Sequence, residues 1–346
     1  MEHYSEKEYE SWARKIFTKP SPTGWTDGLI NEIKQEIEQW GYTVRKLHHG
    51  GLEVYVEGRE KGKVLATSAH VDTLGLMVRS IRSDGTLALT KLGSPNAATL
   101  DGEYCHIVTR DGRSYTGTIV STSASSHVYS DAESKSRDID NLIVRLDELV
   151  HSEKEVRDLG IEHGDIIWID PKYEWTKSGF LKSRFIDDKG SVLVLLLLLK
   201  YWKEHNEKPR YSIYFYFAVF EEVGHGASCI REDISEFVTC DMGCVGKDLA
   251  GKETAVSICA KDSGGPYDYE LTTRLIQLAK EHELPYTVDI FPYYGSDVGS
   301  AYRAGKDIKG ALVGPGVSAS HGMERSHYQG LCATFALLYY YFDPKR

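Results

Sequence analysis

The sequence predicts an α/β protein whose mixed β-sheet is interrupted by an inserted β-rich module. Three observations lead to this prediction. An amphipathic helix and a few strands open the chain, short alternating strands separated by turns fill its middle, and strands alternate with long helices after residue 187. We therefore expect one α/β domain formed by residues 1–74 and 177–346, and an inserted β-rich domain formed by residues 75–176.

The first segment carries a helix, because Ile30, Ile33, Ile37 and Trp40 recur at helical spacing. Strands follow it, with a turn signal at residues 50–51. In the predicted insert, residues 102–110 and 164–170 read as strands, and turn signals such as residues 83–85 and 111–112 separate such strands.

The most apolar stretch of the second half is Val192–Leu199, flanked by Lys189 and Lys200. Eight residues are far fewer than the roughly 20 needed to span a bilayer. This run is therefore expected to form a buried helix, and no membrane association is expected.

Composition narrows the class of protein further. A chain of 346 residues with 41% hydrophobic residues can build a substantial core. The net charge of −10, with acids and bases interspersed, gives no basic stripe and argues against nucleic-acid binding. The acidic N-terminus has no apolar signal core, so we expect a cytoplasmic protein.

The six cysteines form no paired motif with the spacing of a zinc finger or ribbon. Cys240 and Cys244 flank Asp241 and could be read as thiolate zinc ligands. Carboxylates and imidazoles already supply the expected ligands, however, so reduced cysteines in the core are the better interpretation.

Glu221 and Glu222 stand side by side at the end of a strongly apolar strand, residues 211–220. Neighbouring carboxylates repel each other, and ionised ones are costly at the mouth of a core strand. A nearby cation would remove that conflict. One glutamate could then bind the metal while the other serves as general base toward a water.

Another apolar strand, residues 64–70, delivers His70 and then Asp72. Residues i and i+2 of an extended chain share a face. We therefore expect Asp72 to reach the second ring nitrogen of His70 and fix its tautomer, as partners of metal-bound imidazoles do.

Three more polar sites end or follow apolar segments. Asp187 and Asp188 precede a helix N-terminus, where anionic groups are favoured. Asp241 ends a short apolar run, and His321 follows a glycine-rich loop.

Taken singly, each of these residues has an ordinary structural interpretation. His70 could be a hydrogen-bonded core histidine, Asp187 and Asp188 could cap the helix, and Asp241 could hold a turn. Together, two histidines and three acids at strand ends suit two zinc-like ions bridged by one carboxylate. Open α/β sheets place their sites at the same ends of the strands.

The chain resembles the M42 family of metallo-aminopeptidases, which includes glutamyl aminopeptidases and tetrahedral TET aminopeptidases. The resemblance covers nearly the full length. Its motifs are His70-Val-Asp72-Thr-Leu-Gly75, Asp187-Asp188-Lys189, Glu221-Glu222-Val-Gly-His-Gly-Ala227, Asp241, Gly295-Ser-Asp297 and Ser320-His321-Gly-Met-Glu324.

This resemblance implies that His70 and Asp241 bind one metal ion, that Glu222 and His321 bind another, and that Asp187 bridges the two. It also implies that Glu221 is the general base and that Asp72 orients His70. An inserted domain that dimerises, and dimers that build a tetrahedral dodecamer, are implied as well.

Three positions depart from the family pattern. The family usually has Glu at the position of Thr73, Arg at that of Lys189, and a Ser-Pro-x-Glu run where this chain has residues 322–324. None of these departures removes a candidate ligand, but all lie near the site, so substrate preference cannot be copied from a relative.

The sequence thus predicts a dimetal aminopeptidase that removes N-terminal residues from peptides, with zinc, cobalt or manganese as the ions. A related dimetal deacylase or carboxypeptidase is one alternative, but no cationic residues stand near the ligands to bind a substrate carboxylate. A glucanase, a label given to some homologues, would need paired carboxylic acids and leave both histidines unused. A catalytically inactive binding module would not need Glu221.

Overall fold

The computed structural model describes residues 3–342, which belong to two compact units. One unit combines the residues up to Thr73 with those from Lys172 onward, and the other is Leu74–Pro171. The helices are α1 (Glu6–Phe17), α2 (Asp27–Gln39), α3 (Glu153–Asp158), α4 (Ile186–Glu204), α5 (Tyr269–Glu281), α6 (Asp297–Arg303) and α7 (Tyr328–Phe342). The assignment of residues 75–176 to a separate domain that dimerises stays a prediction.

The strands are β1 (Val44–Lys46), β2 (Leu52–Val56), β3 (Glu60–His70), β4 (Gly75–Ile81), β5 (Leu87–Leu92), β6 (Tyr104–Val108), β7 (Ser114–Ser121), β8 (Leu142–Leu146), β9 (Ile166–Ile169), β10 (Glu174–Trp175), β11 (Phe180–Ser183), β12 (Tyr211–Ala218), β13 (Glu236–Cys240), β14 (Gly243–Val245), β15 (Val256–Asp262), β16 (Gly265–Pro266), β17 (Tyr286–Ile290), β18 (Lys309–Ser318) and β19 (Glu324–His327). The predicted α/β class, with a large mixed sheet and a small β-rich insert, is confirmed.

The first unit is built on the mixed sheet, whose strands run in the order β1-β2-β12-β3-β13-β18-β19-β11-β10. β12, β3, β13 and β18 are parallel neighbours, whereas β2 is antiparallel to β12 and β15 is antiparallel to β18. The carboxyl ends of the four parallel strands therefore meet at one edge of the sheet, where α/β proteins place their sites.

Helix α4 packs on this sheet and contacts β3, α1 and α7. Each residue of Val192–Leu199 is at most 1% exposed, which confirms the predicted buried helix. A helix that is apolar on every side is stable only where it is covered on every side. No helix among residues 3–342 is both long and apolar enough to cross a membrane.

The predicted N-terminal amphipathic helix is α2. It buries Ile30, Ile33 and Ile37 on one face, while Trp40 follows its last turn and meets Trp12 of α1 with ring centroids 5.5 Å apart. The helical spacing of these apolar residues thus corresponds to a real packing face.

The second unit is a closed barrel with the strand order β4-β5-β8-β7-β6-β9. The segments 102–110 and 164–170 contain β6 and β9, which pair with each other, so both strand predictions are confirmed. Leu89, Ile107 and Ile119 are fully buried. Closure of the barrel removes the free strand edges that would otherwise promote aggregation.

All six cysteines are free thiols. Cys105, Cys240 and Cys259 are buried, as predicted for core cysteines, but Cys229 is exposed. It lies in the irregular segment between β12 and β13, where no apolar face of a helix or strand draws it inward.

Candidate metal centre

The four parallel strands deliver candidate side chains to the same edge of the sheet. β3 ends at His70, β12 ends three residues before Glu221, β13 ends one residue before Asp241, and β18 ends three residues before His321. Parallel pairing aligns Ala218, the last residue of β12, with His70. Side chains from distant parts of the sequence are thereby gathered in one place.

His70 is 1% exposed and is held through both ring nitrogens. Its Nδ1–H donates to the main-chain carbonyl of Asp72 at 2.8 Å, while the Asp72 carboxylate lies 3.6 Å away. His70 therefore contacts Asp72 as expected, but through the main-chain carbonyl of Asp72 and not through its carboxylate. The other ring nitrogen, Nε2, lies 3.1 Å from Asp187 Oδ1.

The Asp72 carboxylate supports the two glutamates instead. It accepts hydrogen bonds from Thr23 Oγ1 at 2.7 Å and from the backbone N–H groups of Glu221 and Glu222 at 3.2 and 3.4 Å. The turn that carries these glutamates begins at Phe220, whose φ of 65° is left-handed. Such a conformation is costly for a bulky residue, so the surroundings must hold it.

Asp187 lies between the two candidate histidines. Its Oδ1 faces His70 Nε2 at 3.1 Å, and its Oδ2 faces His321 Nε2 at 3.5 Å. Burial raises the pKa of the Asp187 carboxyl, but hydrogen bonds from His321 and His70 outweigh burial and hold it below its usual value. Asp187 and Asp188 have non-helical backbone angles within the first turn of α4, which lets Asp187 project away from the helix.

The remaining acids complete two clusters. One oxygen or nitrogen from each of His70, Asp187 and Glu222 lies within 4.8 Å of the others, and the same holds for His70, Glu221 and Asp241. Glu222 Oε2 is also 3.7 Å from His321 Nε2. All five candidate ligands and Glu221 are thus brought together.

Burial dominates the electrostatics of this cluster. It raises the pKa of Glu221 and of Glu222 well above the usual value, and it raises that of Asp241 to about 7. Three buried oxygens, Glu222 Oε1, Asp188 Oδ1 and Asp297 Oδ1, have no hydrogen-bond partner among residues 3–342. Unpaired buried carboxylates are unfavourable unless a cation lies beside them.

The donor set fits a divalent metal. Imidazole nitrogens and carboxylate oxygens are ligands that zinc and similar ions accept. The unpartnered oxygen of Glu222 is a position that a cation would satisfy. Neither Cys240 nor Cys244 belongs to the two clusters found among the described residues.

Sequence reasoning did not assign a role to Glu324, although it was noted within a motif. Its carboxylate accepts N–H bonds from Ile186 at 2.6 Å, from Asp187 at 2.9 Å and from His321 at 2.9 Å. Glu324 is 1% exposed and therefore fixes two candidate ligand segments at once. The only signal in the sequence was an acid three residues after a candidate ligand.

Two further buried residues were also left without a role. Asp297 is 1% exposed and begins α6, and its Oδ1 lies close enough to Gly226 that a side chain there would meet it at 2.4 Å. Lys189 is 1% exposed, its Nζ donates to the Lys19 carbonyl at 2.5 Å, and burial lowers its pKa to about 7. Lys189 belongs to the motif that contains Asp187, whereas the motif of Asp297, residues 295–297, contains no candidate ligand.

Comparison with known proteins places these features in a family. Residues 50–337 match the sequence model of the family described as M42 glutamyl aminopeptidase. YhfE of Bacillus subtilis (strain 168), named as a candidate aminopeptidase, is 43% identical over 329 residues, which is 95% of either chain.

Two solved structures share the fold. The aminopeptidase APDkam598 from the archaeon Desulfurococcus kamchatkensis superposes with a TM-score of 0.87 at 21% identity, covering 98% of this chain and 95% of that one. The TET1 peptidase of Pyrococcus horikoshii, described as assembling into a tetrahedron or a large octahedral shell, gives a TM-score of 0.82 at 20% identity, covering 96% and 99%.

The cluster predicts that divalent cations stabilise the folded protein. We expect chelator-treated protein to unfold at a lower temperature and zinc to restore the midpoint, because a ligand that binds only the folded state adds about 2.7 kcal/mol at roughly a hundredfold excess over its Kd. Calorimetry with and without zinc measures the shift.

Asp187→Asn should abolish most of the zinc-dependent shift. Asp262→Asn is the matched control: Asp262 is also a buried acid, but it bonds Tyr267 and lies outside both clusters. Chelator-treated and zinc-loaded protein that melt at the same temperature would contradict metal binding at this site.

Proposed function

The chain belongs to the M42 family of glutamyl aminopeptidases and is a peptidase by that membership, and we propose that it works as a dimetal aminopeptidase on peptides with a free N-terminus. The observation that carries this proposal is the position of Asp187 between His70 and His321, with one carboxylate oxygen facing each ring. A carboxylate held between two imidazoles is the arrangement that two neighbouring ions would share.

His70 and Asp241 would bind one ion, and Glu222 and His321 would bind the other. Asp187 would bind both ions. The distances of 3.1 and 3.5 Å from Asp187 to the two rings, and of 3.7 Å from Glu222 to His321, support this division. We propose zinc as the metal; cobalt and manganese accept the same donors. When bound, the ions supply Lewis acidity, which lowers the pKa of water and polarises the scissile carbonyl.

Glu221 is the proposed general base. Its Oε2 lies 3.7 Å from His70 Nε2, and the side chain is 13% exposed, so it borders the cluster while remaining accessible. It would take a proton from the attacking water and later give that proton to the leaving amine. Burial raises the pKa of the Glu221 carboxyl, which makes it a stronger base than an ordinary glutamate and suits it to accept the proton.

The same proximity would allow Glu221 to bind a metal ion, since it also lies within 4.8 Å of His70 and Asp241 atoms. We favour the base role because the five other side chains already supply ligands for two ions. The surrounding excess of carboxylates would attract the α-ammonium group of a peptide, which favours removal of N-terminal residues over internal cleavage.

We further propose that the protein is a homo-oligomer in which residues 75–176 dimerise and dimers form a closed shell. The support is the family membership and the likeness to a TET1 peptidase that assembles into such shells. A closed shell would exclude folded proteins and admit short peptides.

The first test concerns the substrate end. Peptides with a free amine should be shortened from that end, while their N-acetylated counterparts should resist, because acetylation removes the positive charge. Mass spectrometry of timed digests reads out both substrates in one reaction. Comparable cleavage of the acetylated peptides would remove the aminopeptidase assignment for this chain.

The adjacent glutamates provide a second test. Glu221→Gln should retain both ions and lose on the order of 10²–10⁴-fold in kcat, because the amide cannot accept a proton. Glu222→Gln should bind less metal, with one ion weakened, since an amide is a poorer ligand than a carboxylate. Metal analysis and kcat are measured on both variants side by side; if Glu221→Gln loses the metal while Glu222→Gln keeps it, the two roles are reversed.

The third test is the assembly. Light scattering at micromolar concentration should return a mass many times that of one 38.9 kDa chain. A mass equal to one chain would refute the shell and leave the chemistry untouched.

A further inference from the structure

Tyr293 and Tyr294 follow β17 and lie just before α6, yet their side chains have opposite surroundings. Tyr293 is 99% exposed, whereas Tyr294 is partly buried and packs against the core. The Tyr294 hydroxyl donates a hydrogen bond to the main-chain carbonyl of Met242 at 2.9 Å. Tyr294 therefore reaches the end of β13, beside Asp241.

Met242 connects this hydrogen bond to the candidate ligand. Its own N–H donates to Asp241 Oδ1 at 2.7 Å. One residue, Met242, thus binds the Asp241 carboxylate through its N–H and the Tyr294 hydroxyl through its carbonyl. Loss of the Tyr294 hydroxyl would free the Met242 carbonyl and loosen the residue whose N–H orients the carboxylate.

The surroundings of the Tyr294 phenol keep it in its donor form. Burial raises the pKa of Tyr294 itself, and the negative charges of Asp241 and Asp187 raise it further. The phenol therefore stays neutral and remains a donor.

The main chain and the ring of Tyr294 are both held in place. Its main-chain carbonyl accepts hydrogen bonds from the N–H of Ser263 at 3.1 Å and from the Ser263 hydroxyl at 2.5 Å. Its ring packs on Phe291 with centroids 5.3 Å apart. The hydroxyl is thus presented to the Met242 carbonyl by a segment anchored to the loop after β15, and little freedom is left to lose when a ligand binds.

We propose that Tyr294 is a positioning residue of the metal centre, which holds Asp241 in the orientation required to bind the ion that it shares with His70. This inference rests on the proposed role of Asp241 as a ligand. It makes Tyr294 neither a ligand nor a proton donor to the substrate. Groups that orient metal ligands in this way typically contribute 10–100-fold to metal affinity.

The experiment measures zinc affinity by competition with a chromophoric chelator, together with kcat and KM at limiting and saturating zinc. Tyr294→Phe removes only the hydroxyl and should weaken one of the two ions by about 10–100-fold. The other ion should keep its wild-type affinity. We expect kcat to fall at limiting zinc and to recover at saturating zinc, with KM unchanged.

Tyr267→Phe is the matched control. Tyr267 is 7% exposed, and its hydroxyl bonds Asp262 and Ser296 at 2.7 Å each, neither of which is a candidate ligand. This variant should keep wild-type affinity for both ions. Ser263→Ala, on an exposed residue that anchors Tyr294, should weaken the same ion in the same direction but by less, and it keeps the test available if Tyr294→Phe does not fold.

Unchanged affinity for both ions in Tyr294→Phe and Ser263→Ala would overturn the positioning role while leaving the dimetal proposal in place. Equal weakening by Tyr267→Phe would also overturn it, because the loss would then follow from removing any buried hydroxyl. A wild-type protein that binds no zinc would instead refute the proposed function, and the role of Tyr294 with it.

Discussion

The structure depends on one electrostatic constraint, the crowding of carboxylates at the carboxyl ends of four parallel strands. Asp187 and Asp241 are buried there beside His70, the Glu222 side chain is 4% exposed, and Glu221 borders them. Buried carboxylates repel each other and lose their hydration, so such a cluster is unfavourable without compensating positive charge. The histidines supply part of that compensation, and the unpartnered oxygens indicate where cations would supply the rest.

The backbone around the cluster is organised to hold this arrangement. Asp72 accepts N–H bonds from the turn of the two glutamates, and Glu324 accepts them from the segments of Asp187 and His321. Each of these two buried acids fixes the main chain of segments that carry candidate ligands. Such supporting hydrogen bonds hold the ligands in position.

The inserted barrel is stabilised in a different way. Its stability comes from closure of the sheet and from an apolar interior that includes Leu89, Ile107 and Ile119. None of the candidate ligands belongs to it.

The sequence by itself determined the class of fold and the candidate ligands. Strand and helix periodicity depend on local chemistry, so α2, the buried helix at Val192–Leu199 and the strands β6 and β9 were predictable. Acids and histidines at the ends of apolar strands were visible for the same reason. Tertiary structure alone decided which atom of Asp72 contacts His70, because the choice depends on a turn more than 140 residues away in sequence. It also decided the hydrogen-bond partners of Glu324 and of the Tyr294 hydroxyl, which are main-chain groups that no side-chain pattern reveals.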